Sequence, residues 1–235
     1  MLGQAALAMW WDIDAEVRDE FEHWHSHEHF PERLALPGFQ RASRWADADG
    51  GPGFFVIYEL AGYEALVSPE YQARLNAPSD WSRKMMPHHR SMVRSPCRVL
   101  DSRGGAVAGQ AITVRLSPAA GGQERLRSHL RSLVQRLPTQ PGLVGTQLLQ
   151  TDTPAIAPTT EQRIRGLADR AADWVFIVTG YDALALRRLA EATLSAPALQ
   201  DAGAAAGAIT ATYTLRLSLA AAESLPPDGV SSAAS

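Results

Sequence analysis

Residues 53–66 read GFFVIYELAGYEAL, and residues 174–184 read WVFIVTGYDAL. Each stretch begins with an apolar run typical of a buried strand. Gly-Tyr, an acidic residue and Ala-Leu follow, a pattern typical of a turn into a helix. Two such similar stretches in one chain indicate an internal repeat.

The similarity extends to both sides of these stretches. Pro37-Gly38-Phe39 precedes the first copy and Pro141-Gly142-Leu143 the second, and Ala-Pro follows at residues 77–78 and 196–197. The offset between the copies is 104 residues at the Pro-Gly pair and 118 residues at the Gly-Tyr pair. The 14 additional residues fall in the Pro/Thr-rich segment 151–173, which we expect to be a loop that ends in a short helix.

Each copy has the periodicity of a β-α-β-β-α-β unit. The first copy predicts strands at 6–13, 39–45, 53–60 and 92–100 and helices at 15–36 and 63–75. The second predicts strands at 111–117, 143–150, 173–179 and 209–219 and helices at 123–137 and 183–194. Such a unit is ferredoxin-like, with helices on one face of an antiparallel sheet. The bare face must be covered, so we predict an α+β fold in which two tandem repeats pack their sheets face to face as an intrachain α+β barrel.

The repeat also predicts the domain organisation. Repeat 1 covers residues 1–104, repeat 2 covers residues 105–220, and residues 221–235 have the Pro/Ser/Ala composition of a flexible tail. A barrel that closes within one chain is compatible with a monomer, and the sequence leaves a homodimer open.

The amino-acid composition limits the classes of protein to which this chain could belong. The 235 residues carry a net charge of −3, with 46% hydrophobic and 20% charged residues, which is typical of a globular chain. No basic block is present, so we expect no nucleic-acid partner. The early apolar run 5–11 is too short to span a membrane. A single cysteine, Cys97, cannot form an internal disulfide, and we expect a cytoplasmic protein with no membrane partner.

The most informative motif lies at the end of the first predicted helix, where residues 24–39 read WHSHEHFPERLALPGF. This stretch resembles the EthD-like branch of the dimeric α+β barrel superfamily, in which a similar E-H-x-P-x-x-L-x-x-P-G-F pattern leads into the second strand. The resemblance covers most of repeat 1, whereas repeat 2 shares only the skeleton. It implies a ligand cleft between the sheet and its own helices, but no single reaction, since the superfamily hosts many.

Helical geometry selects candidate residues on this helix. At about 100° per residue, one apolar face collects Val17, Phe21, Trp24 and Glu28. His25 lies on the margin of that face and His29 further out. A carboxylate in an apolar cleft has a raised pKa, which suits a general acid or base, so we predict that Glu28 and His25 act with His29 as a proton relay. The alternative is that Glu28 pairs with Arg44 or Arg90.

A second cluster, residues 81–90 (WSRKMMPHHR), has no counterpart in repeat 2. It predicts an irregular segment that closes over the cleft and supplies His88 as a titratable group; the alternative is a surface loop. His25 and His29 are spaced to bind one metal ion together with His88 or His89, but we predict no metal site. Repeat 2 lacks these groups, so we expect it to be structural, with its insertion shielding the site.

These features predict a cofactor-independent acid–base enzyme of isomerase, dehydratase or lyase type that acts on a small, partly apolar, aromatic or lactone-like molecule. The catalytic residues would be Glu28, His25, His29 and His88, and the substrate-binding residues Trp11, Trp24, Phe39, Arg44, Tyr58, Trp81 and Arg90. One alternative implied by the resemblance is a haem-binding barrel with His25 or His88 as the axial ligand. The other is a non-catalytic small-molecule-binding or stress-response barrel.

Overall fold

The structure, a computed structural model, describes residues 1–166 and 169–223. Within this part of the chain the strands are β1 (Ala5–Asp12), β2 (Phe39–Asp47), β3 (Gly53–Leu60), β4 (Arg90–Arg103), β5 (Gln110–Leu116), β6 (Leu143–Thr151), β7 (Trp174–Gly180) and β8 (Ile209–Ala220). Each lies within three residues of its predicted bounds, because alternating apolar residues and Gly/Pro turns specify strands locally.

The strands form a closed barrel in the order β1-β3-β2-β8-β5-β7-β6-β4. The two predicted sheets are recognisable as β4-β1-β3-β2 and β8-β5-β7-β6. Antiparallel pairing of β2 with β8 and of β4 with β6 joins their edges, so each repeat covers the open edges and the bare face of the other. This confirms the predicted fold, an α+β barrel within one chain.

The helices lie outside the barrel and differ more from their predicted bounds. They are α1 (Arg18–Trp24), a π-helical turn (His25–His29), α2 (Phe30–Leu34), α3 (Pro69–Asn76), α4 (Asp80–Met85), α5 (Gln123–Arg136), α6 (Thr160–Arg165), α7 (Ala183–Glu191) and α8 (Ala196–Asp201). The predicted helix 63–75 divides into a 3₁₀ turn, Tyr63–Val67, and α3, because Pro69 begins a new helix whose N-cap Ser68 accepts a hydrogen bond from the Tyr71 amide. In segment 81–90, predicted to be irregular, the first five residues belong to α4, which is capped by Ser79, and Met86–His88 form a 3₁₀ turn.

Three apolar clusters fill the part of the molecule that the structure describes: one inside the barrel and one between each sheet and its helices. In repeat 2, Leu126, Leu130, Leu133 and Val134 of α5 are fully buried against the sheet. The equivalent space in repeat 1 contains aromatic and histidine side chains instead. The two spaces therefore differ in chemical character.

No helix in the described residues has the length and hydrophobicity needed to cross a membrane. The predicted tail, 221–235, lies mostly outside the described residues; its first part, Ala221–Glu223, forms a 3₁₀ turn after β8. The expected short helix of the insertion is α6.

Candidate functional site

The first helix changes geometry at the residues that carry the motif. Between α1 and α2, His25–His29 form a π-helical turn, in which the wider ring disrupts the regular backbone hydrogen bonding. The carbonyl oxygen of Glu22 accepts hydrogen bonds from the Ser26 hydroxyl (2.6 Å) and from Nη1 of Arg44 on β2 (3.2 Å). Nη2 of Arg44 also donates to the Ser26 hydroxyl (3.2 Å). A tertiary contact from the sheet therefore holds the turn.

The π turn changes which side chains face inward. The wider turn rotates His29 back toward the buried face and Glu28 away from it. His25 and His29 both line the same cavity, and their rings stack at a centroid distance of 5.3 Å. The expectation that His29 lies outside the apolar face and Glu28 within it was wrong, because it assumed regular α-helical geometry.

The cavity lies between the sheet of repeat 1 and its helices, as the resemblance implied. Its volume is about 50 Å³, counted as space that the centre of a water molecule can occupy. The structure brings together five of the predicted site residues there: Trp11, Trp24, His25, His29 and Tyr58. Met86, Met92 and Leu75 add apolar walls, and methionines can adapt their shape to a ligand.

The three histidines of the cavity are held in the neutral form. Burial, together with the positive charges of Arg44 and Arg33, places the pKa of His25 well below its ordinary value. Burial and Arg33 do the same for the pKa of His29. Burial and the charge of Arg165 lower the pKa of His89 to about 3. At neutral pH all three imidazoles can therefore accept a proton.

Several polar atoms facing this region have no hydrogen-bond partner among the described residues. They are Nδ1 of His25, Nδ1 of His29, Nε1 of Trp11 and the hydroxyl of Tyr58. Burial raises the pKa of Tyr58 well above its ordinary value, so its hydroxyl is a neutral donor. Buried polar groups are normally satisfied, so four unsatisfied atoms on residues that line one cavity are unusual.

Arginines surround the apolar walls. Arg33 is buried and pairs with Glu32 and, over a short contact, with Glu161. Burial alone would lower the pKa of Arg33, but Glu161 raises it above its ordinary value. Arg94 donates to the Tyr71 hydroxyl (3.1 Å). The cavity wall therefore carries arginines whose charges are partly balanced by carboxylates.

The insertion of repeat 2 forms one wall of the cavity. Ile156, Thr159, Glu161, Gln162 and Arg165 line it, and Thr159 and Gln162 form a capping box that begins α6. Arg165 pairs with Asp169 (2.8 Å) on the same segment. The structure thus places the insertion against the site in repeat 1, where we expected it to act as a shield.

Glu28 does not line the cavity. Its Oε1 accepts hydrogen bonds from Nε1 of Trp24 (3.0 Å) and from the hydroxyl of Ser79 (2.5 Å) at the start of α4. The alternative ion pairs with Arg44 or Arg90 are also absent from the described residues, because Arg44 pairs with Glu22 and Arg90 with Asp14. The carboxylate instead ties the first helix to α4, and its predicted catalytic role has lost its geometric support.

The remaining predicted site residues also lie outside the cavity lining. Phe39 packs on Tyr58 and Tyr71 behind the wall. Trp81 donates from Nε1 to Glu20 (3.3 Å), and His88 is partly exposed in the turn before β4. Arg44 holds the π turn, and Arg90 is exposed. Their predicted roles remain untested predictions.

The sequence interpretation missed several residues that line the cavity: Arg33, Tyr71, His89, Arg94, Glu161 and Arg165. Arg33 lies within the quoted motif and His89 within the second cluster, so a signal existed for both. The sequence offered no signal for Glu161 and Arg165, because only the tertiary fold brings the insertion of repeat 2 to repeat 1.

Among residues 1–166 and 169–223, no cluster of three or more His, Cys, Asp or Glu side chains is arranged to hold a metal ion. For haem, the cavity offers neutral imidazoles as candidate axial ligands, those of His25, His29 and His89.

Comparison with known proteins supports the fold. No family model and no curated protein matches the chain. Among solved structures, the chain is similar to an anthrone oxidase-like protein (12% identity, 94% of this chain and 95% of that chain, TM-score 0.63). It is also similar to a candidate monooxygenase of Fusobacterium nucleatum (8%, 93% and 95%, 0.62) and to another of Lactobacillus acidophilus (10%, 93% and 97%, 0.55). At such identities the likeness shows the fold alone, a ferredoxin-like α+β barrel.

Proposed function

We propose that this protein is a cofactor-independent enzyme that binds a small aromatic molecule in the cavity of repeat 1 and takes a proton from it. The observation that carries the proposal is the cavity itself. It holds three neutral histidines, two of them with an unpartnered Nδ1, beside aromatic walls and buried arginines. Such a cavity suits an apolar ring with one or two polar substituents.

His25 or His29 takes over the role that the sequence suggested for Glu28. A neutral imidazole accepts the proton, and the resulting substrate anion lies beside the new imidazolium. Arg33 and Arg94 stabilise that anion electrostatically, which matters more in a poorly hydrated site than in water. Burial makes the imidazole a weaker base before the substrate binds. The negative charge of the substrate anion then stabilises the imidazolium and offsets this effect.

The names of the structural neighbours support oxidation as the step that follows. In an anthrone-type substrate, the CH₂ group beside the aromatic rings loses a proton to histidine, and dioxygen accepts the electrons of the carbanion. One oxygen atom becomes the new carbonyl oxygen and the other leaves as water with both hydrogen atoms of the CH₂ group. Isomerisation or elimination from the same anion is the alternative that the sequence favoured.

Anthrone provides a direct test, because its oxidation to anthraquinone is followed by absorbance and by oxygen uptake. His25→Gln and His29→Gln should each lower the enzymatic rate about 100-fold or more, as expected for loss of a general base. His23→Gln is the matched control, since His23 is exposed on the same helix. Anaerobic incubation with solvent deuterium exchange separates proton removal from oxidation.

Three results would contradict the proposal. The first is no acceleration of either exchange or oxidation over the uncatalysed rate. The second is full activity in the His25/His29 double variant. The third is loss of activity in Glu28→Gln with both histidine variants active, which would restore Glu28 as the acid–base residue. A Soret band on haem titration, abolished by His25→Gln, would favour the haem-binding alternative.

We also infer that the barrel arose by tandem duplication. The matching order of sequence motifs and the equivalent edge pairs β2·β8 and β4·β6 support this inference. The EthD-like relationship, which rests on the motif at residues 24–39, remains a prediction. The domain bounds 1–104 and 105–220, the cytoplasmic location and the compatibility of the barrel with a monomer or a homodimer also remain predictions.

A further inference from the structure

A second hollow lies at one end of the barrel and shares no lining residue with the histidine cavity. Its volume is about 230 Å³, and the ends of β4, β5 and β8 and residues 170–173 line it. Met92 and Arg94 of β4 line the histidine cavity, whereas Val93 between them lines the hollow. The two sites therefore lie on opposite faces of this strand.

Arg115 supplies one positive charge to the hollow from the barrel interior. The side chains of Ala111, Thr113 and Arg115 share the inner face of β5, because alternate residues point the same way. Thr113 accepts a hydrogen bond from Nε1 of Trp10 (3.1 Å), and the Arg115 guanidinium lies 5.2 Å from the centroid of the Trp10 ring. Within the described chain, Arg115 forms no ion pair with a carboxylate.

Arg170 supplies a second positive charge from the insertion. Its backbone is held to β4 by two hydrogen bonds, from the Arg94 amide to the Arg170 carbonyl (2.7 Å) and from the Arg170 amide to the Met92 carbonyl (3.0 Å). Its side chain is exposed and has no ion-pair partner among the described residues. Burial and the charge of Arg170 both lower the pKa of Arg115, although Tyr213 opposes them.

One carboxylate also lines the hollow. Asp173 accepts a hydrogen bond from the hydroxyl of Ser117 and forms no ion pair with either arginine. Its charge would repel a dianion more strongly than a monoanion. The apolar part of the wall comes from Val93, Leu116 and Ile209, and Ile209 is half exposed.

From this arrangement we infer that the hollow binds a small organic monocarboxylate, with its carboxylate between Arg115 and Arg170 and its apolar part against Leu116 and Ile209. An anion between two unpaired guanidinium groups lowers their mutual repulsion, and the planar guanidinium binds a carboxylate through two hydrogen bonds. This site is separate from the proposed chemistry of the histidine cavity.

The inference is tested by titrating ¹⁵N-labelled full-length protein with benzoate and, separately, with inorganic phosphate. Benzoate should saturably shift the amide signals of Ser117, Asp173 and Gly207. Arg115→Gln and Arg170→Gln should each weaken this binding about tenfold or more, as expected when a charge-assisted hydrogen bond is lost. Arg187→Gln, which removes a charge from an exposed position on α7, should leave it unchanged.

The exposed position of Arg170 makes its variant informative even if Arg115→Gln fails to fold. The His25/His29 double variant should bind benzoate in the hollow as the unaltered protein does, which separates this inference from the proposed catalysis. Absence of saturable shifts at the hollow, or equal weakening by Arg187→Gln, would refute the inference. Tighter binding of phosphate than of benzoate would overturn the assignment to monocarboxylates.

Discussion

At the scale of single residues, the neutral histidines are the unusual feature of this protein. His25 is 1% and His29 8% exposed, and both carry an Nδ1 without a partner among the described residues. A buried polar atom without a hydrogen-bond partner costs stability. Function rather than folding is therefore the physical reason we infer for their presence.

The lowered pKa values of these histidines predict that the protein is less stable in mild acid. Their pKa values in the folded protein lie below the ordinary value near 6.5, so the unfolded chain binds more protons below that pH. Above pH 7.5 these histidines should not change the free energy of unfolding. As the pH drops below 6.5, they should lower it. His89, whose folded pKa is about 3, should contribute about 1.4 kcal/mol of loss between pH 7.5 and 5.5.

Urea unfolding at these two pH values measures the effect. His89→Gln should reduce the difference between them by about 1.4 kcal/mol, and the matched control His23→Gln should leave it unchanged. An unaltered pH dependence in His89→Gln would show that folding does not lower the pKa of His89.

A second prediction at the scale of single residues concerns Ser26. Ser26→Ala removes a hydrogen bond to the Glu22 carbonyl and one from Arg44. The free energy of unfolding should fall by about 1 kcal/mol, and the NMR pKa of His29 should rise as the π turn loosens. Ser132→Ala, at an exposed position of α5, is the control and should cause no such loss. An unchanged His29 titration would contradict a role for Ser26 in the turn.

At the scale of elements, α6 matters more than its length of six residues suggests. It belongs to repeat 2 by sequence and to the cavity of repeat 1 by position. The buried pair between Arg33 and Glu161 links the two, and Asn76 on α3 accepts hydrogen bonds from the amide and hydroxyl of Thr160. The position of α6 therefore controls one wall of the site.

Removing the charge of Glu161 should weaken the contact between α6 and repeat 1. Glu161→Gln leaves Arg33 without its closest counter-ion, and breaking a buried pair costs about 3–5 kcal/mol. Amide hydrogen exchange in residues 159–165 should become faster, whereas the strands of repeat 2 should keep their protection. Glu124→Gln, at an exposed position at the start of α5, is the control. Equal exchange in both variants would show that the ion pair does not hold α6.

At the scale of the whole molecule, the barrel makes each repeat dependent on the other. Trp45, Phe55 and Ile57 of repeat 1 are buried in the barrel interior, facing Val175 and Ile177 of repeat 2. A separated repeat would expose this face together with the unpaired edges of β2 and β4. The two repeats share one core, and the histidine cavity of repeat 1 has one wall from repeat 2.

This dependence predicts the behaviour of separated repeats. Residues 1–104 expressed alone should aggregate or self-associate, and co-expression with residues 105–235 should restore a soluble 1:1 complex. Size-exclusion chromatography and circular dichroism measure the outcome, with the intact chain as the reference. A cooperatively unfolding monomer of residues 1–104 would contradict the shared core.

The fold was predictable to within three residues for its strands, because apolar alternation and turn residues act over a few positions of the chain. The site was predictable only in part. The sequence located the cleft and selected Trp11, Trp24, His25, His29 and Tyr58, but it assigned Glu28 to the wrong side of the helix. It also offered no signal for Glu161 and Arg165, whose roles depend on contacts across more than 100 residues of chain.

Local sequence patterns were enough to predict the strands and the α+β barrel, since two sheets with one bare face each must cover one another. Tertiary structure alone decided which side chains enter the site. The π turn depends on a hydrogen bond from Arg44 on β2 to a helix carbonyl, and the wall formed by α6 depends on the packing of repeat 2 against repeat 1. Contacts between elements distant in the chain set both features, so no local pattern of residues could reveal them.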